Sequence, residues 1–260
     1  MLMSAATGLS AGDLIMNPAA AVPAAARQRL AGMVARRLQH EPVARILGTR
    51  EFYGRPFQVT AATLDPRADS ETLITAVLEI AEEEGWRRRP VRILDIGTGT
   101  GCLLLTLLAE LPQATGLGTD VSEPALAVAR ANAEQLALTA RAAFRRQRSL
   151  ESTCDIFDIL VSNPPYIPSG DIPGLALDVR GYDPHGALDG GPDGLAIYRE
   201  ITSRLSSAVP AGWAFFEVGA DQATAVTAFL AGAFPALDHR TSVWRDLGGH
   251  QRCVAIRTRR

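Results

Sequence analysis

Residues 91–101 have the sequence Val-Arg-Ile-Leu-Asp-Ile-Gly-Thr-Gly-Thr-Gly, and this stretch predicts the fold of the chain. The first six residues are mostly apolar and indicate a buried strand, and the glycines that follow indicate a tight turn. The apolar residues 102–111 then predict a helix that ends near Pro112. A strand, a glycine-rich turn and a helix in this order are typical of the nucleotide-binding edge of an α/β sheet.

A second strand, predicted over residues 115–120, ends in the carboxylate of Asp120. The interval from Gly101 to Asp120 is close to the roughly 20 residues at which a carboxylate bonds ribose hydroxyls. The chain contains no lysine, so it has no P-loop lysine, and a second phosphate-binding element is missing as well. A ribose-bearing ligand without a pyrophosphate fits best, and S-adenosylmethionine is such a ligand. The predicted cofactor-binding residues are Asp95, Gly97, Thr98, Gly99, Thr100, Gly101, Asp120 and Asn163.

Both signals also have simpler interpretations. A glycine-rich turn after a strand is by itself weak support for a cofactor. Asp120 could instead cap the helix that starts near Pro124. These two signals alone therefore do not establish a methyl-donor site.

A second motif is Ser-Asn-Pro-Pro-Tyr at residues 162–166, directly after the apolar residues 157–161. The side-chain carbonyl of Asn163 and the backbone carbonyl of Pro164 can each accept a hydrogen bond from an NH2 group. The Tyr166 ring can cover a planar group from one face. Alone, the motif would also fit a turn at a strand end. After a methyl-donor site it predicts methyl transfer to a planar nitrogen, with Asn163, Pro164 and Tyr166 catalytic and Asn163, Pro164, Pro165 and Tyr166 binding the substrate.

The remaining periodicity predicts strands that alternate with helices, which implies a mostly parallel α/β sheet covered on both faces. Seven strands are expected, over residues 91–96, 115–120, 142–146, 156–161, 213–218, 240–246 and 251–257. Residues 167–194 are rich in Pro, Gly and Asp, and their length indicates a cover over the active site.

The segment before residue 89 is expected to consist of two parts. Residues 1–20 show little periodicity and predict poor order, whereas residues 23–39 predict one amphipathic helix. Residues 52–59 predict a β-hairpin that turns near Gly54 and Arg55, and a helix should follow over 70–85. We predict an N-terminal helical region over 1–47, a hairpin and linker helix over 48–88, and a catalytic domain over 89–260.

The amino-acid composition and the net charge limit the classes to which the protein can belong. The chain has 260 residues, of which 47% are hydrophobic and 21% charged, and its formal net charge is −2. This charge argues against stable nucleic-acid binding. The three cysteines are scattered without metal-ligand spacing, and no signal peptide or membrane segment is apparent, so a cytoplasmic protein without a metal is expected. We also expect a monomer.

The residues around both motifs resemble the HemK/PrmC-type methyltransferases, which modify the glutamine amide of peptide chain release factors. The similar segments are Ile46–Gly48, Glu51–Gly54, Leu64–Arg67 with Ser70–Glu71, Asp178–Arg180, Asp183–Pro184, Ala187–Gly191, Asp193–Leu195, Glu217–Gly219 with Gln222, and Asp246–Gly249 with Arg252.

The resemblance implies a class I S-adenosylmethionine-dependent methyltransferase with a Rossmann-like, seven-stranded, mostly parallel sheet. It implies that residues 97–101 wrap the methionine part of the donor and that Asp120 holds the ribose. Asn163 and the Pro164 carbonyl would bind the glutamine NH2 group, with Tyr166 beside it. The partners would be release factors, and the acceptor would be the glutamine of their Gly-Gly-Gln motif.

Two features depart from the family pattern. The family usually has an N-terminal helical bundle, of which only the last helix is predicted before Pro42, so a shortened docking region is expected. The family also usually has an acidic residue and a tryptophan near the adenine, whereas residues 145–151 read Arg-Arg-Gln-Arg-Ser-Leu-Glu. The adenine contacts are therefore left unassigned.

Two other functions stay open at this point. The first is an amino-methyltransferase acting on the exocyclic nitrogen of adenine or guanine, because the same motif would serve a flipped base. The second is an S-adenosylmethionine-binding protein with reduced catalysis that acts through contacts. The intact motif at residues 163–166 argues against the second.

Overall fold

The computed structural model describes residues 1–150, 155–234 and 241–258. Its centre is a seven-stranded sheet with the order β5-β4-β3-β6-β7-β9-β8. The first five strands in this order, from β5 through β4, β3 and β6 to β7, run parallel to one another. Strand β9 runs antiparallel to both β7 and β8. The strands are β1 (Thr49–Phe52), β2 (Arg55–Gln58), β3 (Arg92–Ile96), β4 (Thr115–Asp120), β5 (Ala142–Arg146), β6 (Ile159–Ser162), β7 (Gly212–Glu217), β8 (Thr241–Arg245) and β9 (Gln251–Thr258).

Helices cover both faces of this sheet. Within the described residues they are α1 (Leu2–Thr7), α2 (Ala11–Met16), α3 (Ala24–Leu38), α4 (Val43–Leu47), α5 (Glu71–Glu83), α6 (Cys102–Glu110), α7 (Glu123–Gln135), α8 (Leu177–Arg180), α9 (Ala196–Thr202), α10 (Leu205–Ala208) and α11 (Ala223–Ala233). None of these helices is long and apolar enough to cross a bilayer.

The central strands alternate their side chains between two hydrophobic cores. Ile159 and Val161 of β6 belong to the core that α5 and α6 cover, and Leu160 belongs to the core under α9 and α11. In β7, Phe215 and Phe216 divide between the same two cores. This alternation follows from the two-residue period of a strand. The predicted seven-stranded, mostly parallel α/β fold is thereby confirmed.

Three predicted details are wrong. Residues 1–20 contain α1 and α2, and four helices precede residue 48 where one was expected. Six-residue helices are too short to produce a periodic pattern, although α2 begins with a capping box between Ser10 and Asp13. The first hairpin strand is β1, before the predicted start at Phe52, because the turn lies at Tyr53 and Gly54 with φ of 50° and 72°.

Smaller differences concern element ends. The strand predicted over 156–161 begins at Ile159, and the helix predicted over 195–205 is divided into α9 and α10. Residue 240 of the predicted strand 240–246 lies outside the described residues. The 167–194 segment contains short helical turns, including α8.

Candidate active site

The glycine-rich turn and the Asn-Pro-Pro-Tyr motif meet at the point where the strand order reverses. Strands β3 and β6 are neighbours there, and Ile96 pairs with Ser162. The next residues, Gly97 and Asn163, therefore leave the carboxyl edge of the sheet side by side. Ligands of open α/β sheets bind at such a switch point.

The glycine turn leaves open space above its backbone. Gly97 and Gly99 have positive φ values of 73° and 55°, and a Cβ at Gly97 would meet no atom within 4 Å. Backbone N–H groups of Gly97 and Thr98 both donate to the Thr119 carbonyl, at 2.9 Å. These bonds attach the turn to the end of β4, so the space above the Gly97 backbone stays open. A Cβ at Gly101 would lie 3.0 Å from Leu105, so this glycine lets α6 start close to the turn.

Asp95 lies beneath the turn and supports it. Its side chain is nearly inaccessible, at 1% exposure, and Oδ2 accepts a hydrogen bond of 2.6 Å from the Thr98 hydroxyl. The pKa of Asp95 is raised to about 7, chiefly by burial and to a smaller extent by the nearby charge of Asp120, against the lowering effect of the Thr98 hydrogen bond. Asp95 does not line the cavity described below. Any action of Asp95 on a ligand would thus pass through Thr98.

Asp120 faces the open side of the same turn. Its Oδ2 accepts from the Gly99 N–H at 3.0 Å, and its Oδ1 accepts from the Ser122 N–H at 2.9 Å. Each carboxylate oxygen can accept a further hydrogen bond, so hydroxyl donors can still bind. The helix cap that Asp120 could have supplied belongs to Ser122, whose hydroxyl accepts from Ala125 N–H at the start of α7.

A cavity of about 470 Å³ opens over these groups. This volume lies within the range of roughly 300–1,000 Å³ that is typical of small-molecule sites. Its walls come from the linker, the glycine turn, the end of β4, the segment after β5, the Asn-Pro-Pro-Tyr motif and the 167–194 segment. The lining includes Leu64, Arg67, Ser70, Gly97, Thr98, Gly99, Thr100, Leu103, Asp120, Val121, Gln147, Arg148, Asn163, Pro165, His185, Ala187 and Ile197.

Asn163 and Pro164 present two acceptors at this site. The half-buried Asn163 donates from Nδ2 to the Ser70 hydroxyl at 3.2 Å. Within residues 1–150, 155–234 and 241–258, no hydrogen bond is made to Asn163 Oδ1 or to the Pro164 carbonyl. Asn163 and Pro165 line the cavity, whereas Pro164 and Tyr166 do not.

Tyr166 lies behind the motif. Its hydroxyl is 3.5 Å from Glu217 Oε1, and burial raises the pKa of Tyr166. Its backbone carbonyl accepts from Gln222 Nε2 at 2.8 Å, which ties the motif to the start of α11.

The 167–194 segment folds back onto the motif and forms one wall of the cavity. The Ile167 N–H donates to the Leu188 carbonyl at 3.1 Å, and the Gly190 N–H donates to the Ile167 carbonyl at 2.9 Å. A Cβ at Gly190 would lie 2.7 Å from the Pro165 carbonyl, so only glycine fits there. The segment therefore lies against the motif and lines one side of the cavity, and its role as a cover over a bound substrate stays a prediction.

Several lining residues were not assigned from the sequence. Gln147 and Arg148 occupy the segment where the adenine contacts stayed open, and Glu151 of that segment lies outside the described residues. Ser70 and Arg67 belong to a segment that the sequence singled out without giving it a role. Their closeness to Asn163 depends on how α5 packs on the sheet, which no local pattern reveals.

Known proteins share the fold and parts of the sequence of this chain. The methyltransferase small domain family matches residues 72–173. The structure of the catalytic domain of human METTL16, solved with the MAT2A 3'UTR hairpin 6, superimposes with a TM-score of 0.62 at 18% identity, over 83% of this chain and 81% of that one. At this identity the likeness concerns the fold alone. Fold and family match define a class I S-adenosylmethionine-dependent methyltransferase, as predicted.

Proteins of similar sequence identify the family within this class of methyltransferases. The PrmC N-terminal domain family matches residues 1–48. The release factor glutamine methyltransferase of Bradyrhizobium diazoefficiens is 45% identical over 99% of this chain and 86% of its own length. The enzyme of the same name from Agrobacterium fabrum is 41% identical over 99% of this chain and 88% of its own length. The chain belongs to the release factor glutamine methyltransferase family, which confirms the predicted family and the prediction of a methyltransferase enzyme.

Proposed function

We propose that this protein transfers a methyl group from S-adenosylmethionine to the side-chain amide nitrogen of the glutamine in the Gly-Gly-Gln motif of peptide chain release factors. The observation that carries the proposal is the pair of free acceptors, Asn163 Oδ1 and the Pro164 carbonyl, beside a cavity in a chain of this family. A primary amide has two N–H donors on one nitrogen, and two acceptors match them.

The donor fits the residues around the cavity. Residues 97–101 would hold its methionine part, and Asp120 would accept from the ribose hydroxyls with the lone pairs that Gly99 and Ser122 leave free. S-adenosylmethionine supplies the methyl group as an electrophilic sulfonium. The Gln147–Ser149 segment and Ile197 are the candidates for the adenine side of the cavity.

The protein's own contribution is to orient a poor nucleophile. An amide nitrogen is weak because its lone pair is delocalised into the carbonyl. Asn163 and Pro164 would hold both N–H bonds, which directs the lone pair along the line of attack and keeps the nitrogen at near-attack distance. The methylated nitrogen is strongly acidic and loses its proton readily, so no catalytic histidine is assigned. Tyr166 would pack beside the acceptor amide.

The role of the N-terminal part is also a proposal. We assign substrate docking to residues 1–47, with a linker over 48–88 and the catalytic domain over 89–260. Ile15, Met16 and Leu38 are large apolar residues with exposures of 76%, 78% and 73%, and all three lie in this region. Large exposed apolar residues in one region are candidates for a protein-binding surface. A monomer without a metal, located in the cytoplasm, stays a prediction.

The proposal is tested by following the labelled methyl group of S-adenosylmethionine into purified substrates. Release factor should be methylated with turnover, whereas transfer RNA, ribosomal RNA and duplex DNA should not. Methylation of a nucleic acid at comparable turnover would favour the amino-methyltransferase alternative instead. Binding of the donor without transfer to any substrate would favour the alternative of reduced catalysis.

Asp120→Ala is expected to weaken donor binding. The substitution removes the acceptor of the proposed ribose hydroxyls and also the partner of the Gly99 N–H. Loss of hydrogen bonds to a charged group should raise the Kd for S-adenosylmethionine about 10- to 100-fold. Isothermal titration calorimetry measures this change. Glu123→Gln, three residues further along and 53% exposed, is the control and should leave the Kd unchanged.

A further inference from the structure

Two charged side chains from distant segments form an ion pair in the wall of the cavity. Arg148 follows β5, and Glu200 belongs to α9. The Arg148 Nε donates to Glu200 Oε1 at 3.2 Å, and its Nη2 donates to Oε2 at 3.1 Å. Both residues line the cavity, and the Glu200 side chain is 29% exposed. A two-point contact therefore orients a carboxylate that a ligand in the cavity can still reach.

The strand order indicates which part of the donor this pair would meet. Along β5-β4-β3-β6, the proposed methionine and acceptor sites follow β3 and β6, and the proposed ribose ligand Asp120 ends β4. The Gln147 N–H donates to the Asp120 carbonyl at 3.0 Å, so the segment after β5 begins beside the ribose site. Arg148 is the next residue. A donor with its ribose at Asp120 and its methyl group towards Asn163 therefore directs its base towards Arg148 and Glu200.

Apolar side chains lie in the same part of the cavity wall. Ile197 precedes Glu200 by three positions in α9, so the two residues share one face of that helix, and both line the cavity. Val121, which directly follows Asp120, lines the cavity as well and is 57% exposed. This part of the cavity thus combines apolar surface for a flat ring with a charged group for its edge, as small-molecule sites usually do.

Ser149, the neighbour of Arg148, independently indicates a ligand here. It lines the cavity, is only 6% exposed and has a positive φ of 46°. Its side-chain oxygen is buried without a hydrogen-bond partner in the described residues. Backbone strain of this kind is concentrated at functional sites, and an unpaired buried hydroxyl is rare in a folded protein. Ser149 therefore supports a binding role for the segment that carries Arg148.

The charge of Glu200 decides which edge of a base fits. An ionised carboxylate only accepts hydrogen bonds, and each of its oxygens has about two acceptor sites. Arg148 occupies one site on Oε1, so a further donor can bind to that oxygen. The 6-amino group of adenine is such a donor. Hypoxanthine has a carbonyl oxygen at the same position, which the carboxylate would repel.

We propose that Glu200 is a specificity-determining residue that accepts a hydrogen bond from the 6-amino group of the donor's adenine, and that Arg148 positions its carboxylate. The proposal rests on the proposed donor, S-adenosylmethionine, and deepens it by assigning the adenine contact. Helix α9 would in this way supply the acidic group that residues 145–150 lack.

The test compares two ligands by isothermal titration calorimetry: S-adenosylhomocysteine, and S-inosylhomocysteine, which has a carbonyl in place of the 6-amino group. The wild type should bind the adenosyl compound at least about tenfold more tightly, the effect of a hydrogen bond to a charged group. Glu200→Gln should weaken its binding about three- to tenfold. The preference should fall below about threefold, because an amide can accept from an amino group or donate to a carbonyl.

Arg148→Met tests the positioning role. This variant leaves the Glu200 carboxylate without its two-point contact, so the preference for the adenosyl compound should again fall. The double variant Arg148→Met/Glu200→Gln should lose no more of the preference than Glu200→Gln alone, since both changes act on one contact. The side chains of Arg148 and Glu200 are 59% and 29% exposed, so the variants are expected to fold, which circular dichroism checks.

Glu123→Gln is the matched control, because Glu123 forms an exposed ion pair with Arg130 and does not line the cavity. It should leave the preference unchanged. A wild type that binds both ligands equally, or a Glu200→Gln variant that keeps the full preference, overturns the proposal. The same holds if Glu151→Gln, at a position outside the described residues, abolishes the preference while Glu200→Gln does not.

These measurements need no release factor, so they separate this inference from the proposed function. A preference that is lost in Glu200→Gln would support the adenine contact even if release factor is not the substrate. A Glu200→Gln enzyme that methylates release factor and keeps the wild-type preference would contradict the contact and leave the proposed function intact. A wild type that binds neither compound would contradict both.

Discussion

Asn163→Ala is expected to lower the kcat for methyl transfer about 10²- to 10³-fold, the usual effect of removing one oriented polar group at a reacting centre. Asn163 Oδ1 is one of the two proposed acceptors for the NH2 group of the substrate, and alanine would leave one N–H of that group unpaired. The Pro164 carbonyl alone cannot fix the nitrogen lone pair. Single-turnover transfer of a labelled methyl group to release factor measures the effect.

The same variant separates the two roles predicted for Asn163. The Kd for S-adenosylmethionine should change less than about threefold if the residue chiefly binds the substrate. A loss of donor binding as large as the loss of transfer would instead make Asn163 chiefly a cofactor ligand. Gln113→Ala, which removes an exposed side-chain amide distant from the cavity, is the control and should change neither quantity.

Asp183→Asn is expected to lower the free energy of unfolding by about 3–5 kcal/mol, the cost of leaving a buried charge without its partner. Asp183 Oδ1 accepts from Arg45 at 3.1 Å, and the two side chains are 0% and 5% exposed. Its Oδ2 accepts from Arg67 at 2.6 Å. Without the Asp183 carboxylate, the Thr63 carbonyl still accepts from Arg45 Nη2, whereas Arg45 Nε and Nη1 are buried without a hydrogen-bond partner in the described residues.

This cluster joins three parts of the chain. Arg45 belongs to α4, Arg67 to the linker and Asp183 to the segment that forms a wall of the cavity. Urea denaturation followed by circular dichroism measures the stability change. Glu123→Gln, which breaks an exposed ion pair with Arg130, should cost less than about 1 kcal/mol. Equal losses in the two variants would mean that the buried cluster contributes no more than a surface pair.

The sequence predicted those features that depend on local periodicity. Strands β4 and β5 lie at the predicted positions. The rule that ligands bind at the carboxyl ends of parallel strands predicted that Asp120 and Asn163 lie at one edge of the sheet, and both lie there in the structure. The hairpin turn was misplaced by one residue because Tyr53, which is not a typical turn residue, has a positive φ.

The features that were not predicted depend on contacts between distant segments. Ser70 and Asn163 are 93 positions apart in the chain, and they meet only because α5 packs across β7. Glu217 looks like an ordinary strand end in the sequence, and its burial follows from β9 pairing on its far side. Arg45 and Asp183 likewise lie in segments whose closeness no pattern reveals.

Peptide mass spectrometry of release factor after incubation with this protein and S-adenosylmethionine tests the central claim most directly. The proposed function predicts one added methyl group on the side chain of the Gly-Gly-Gln glutamine, at high occupancy, and none when Asn163→Ala replaces the wild type. A methyl group on another residue, or an unmodified release factor beside a methylated nucleic acid, would contradict it.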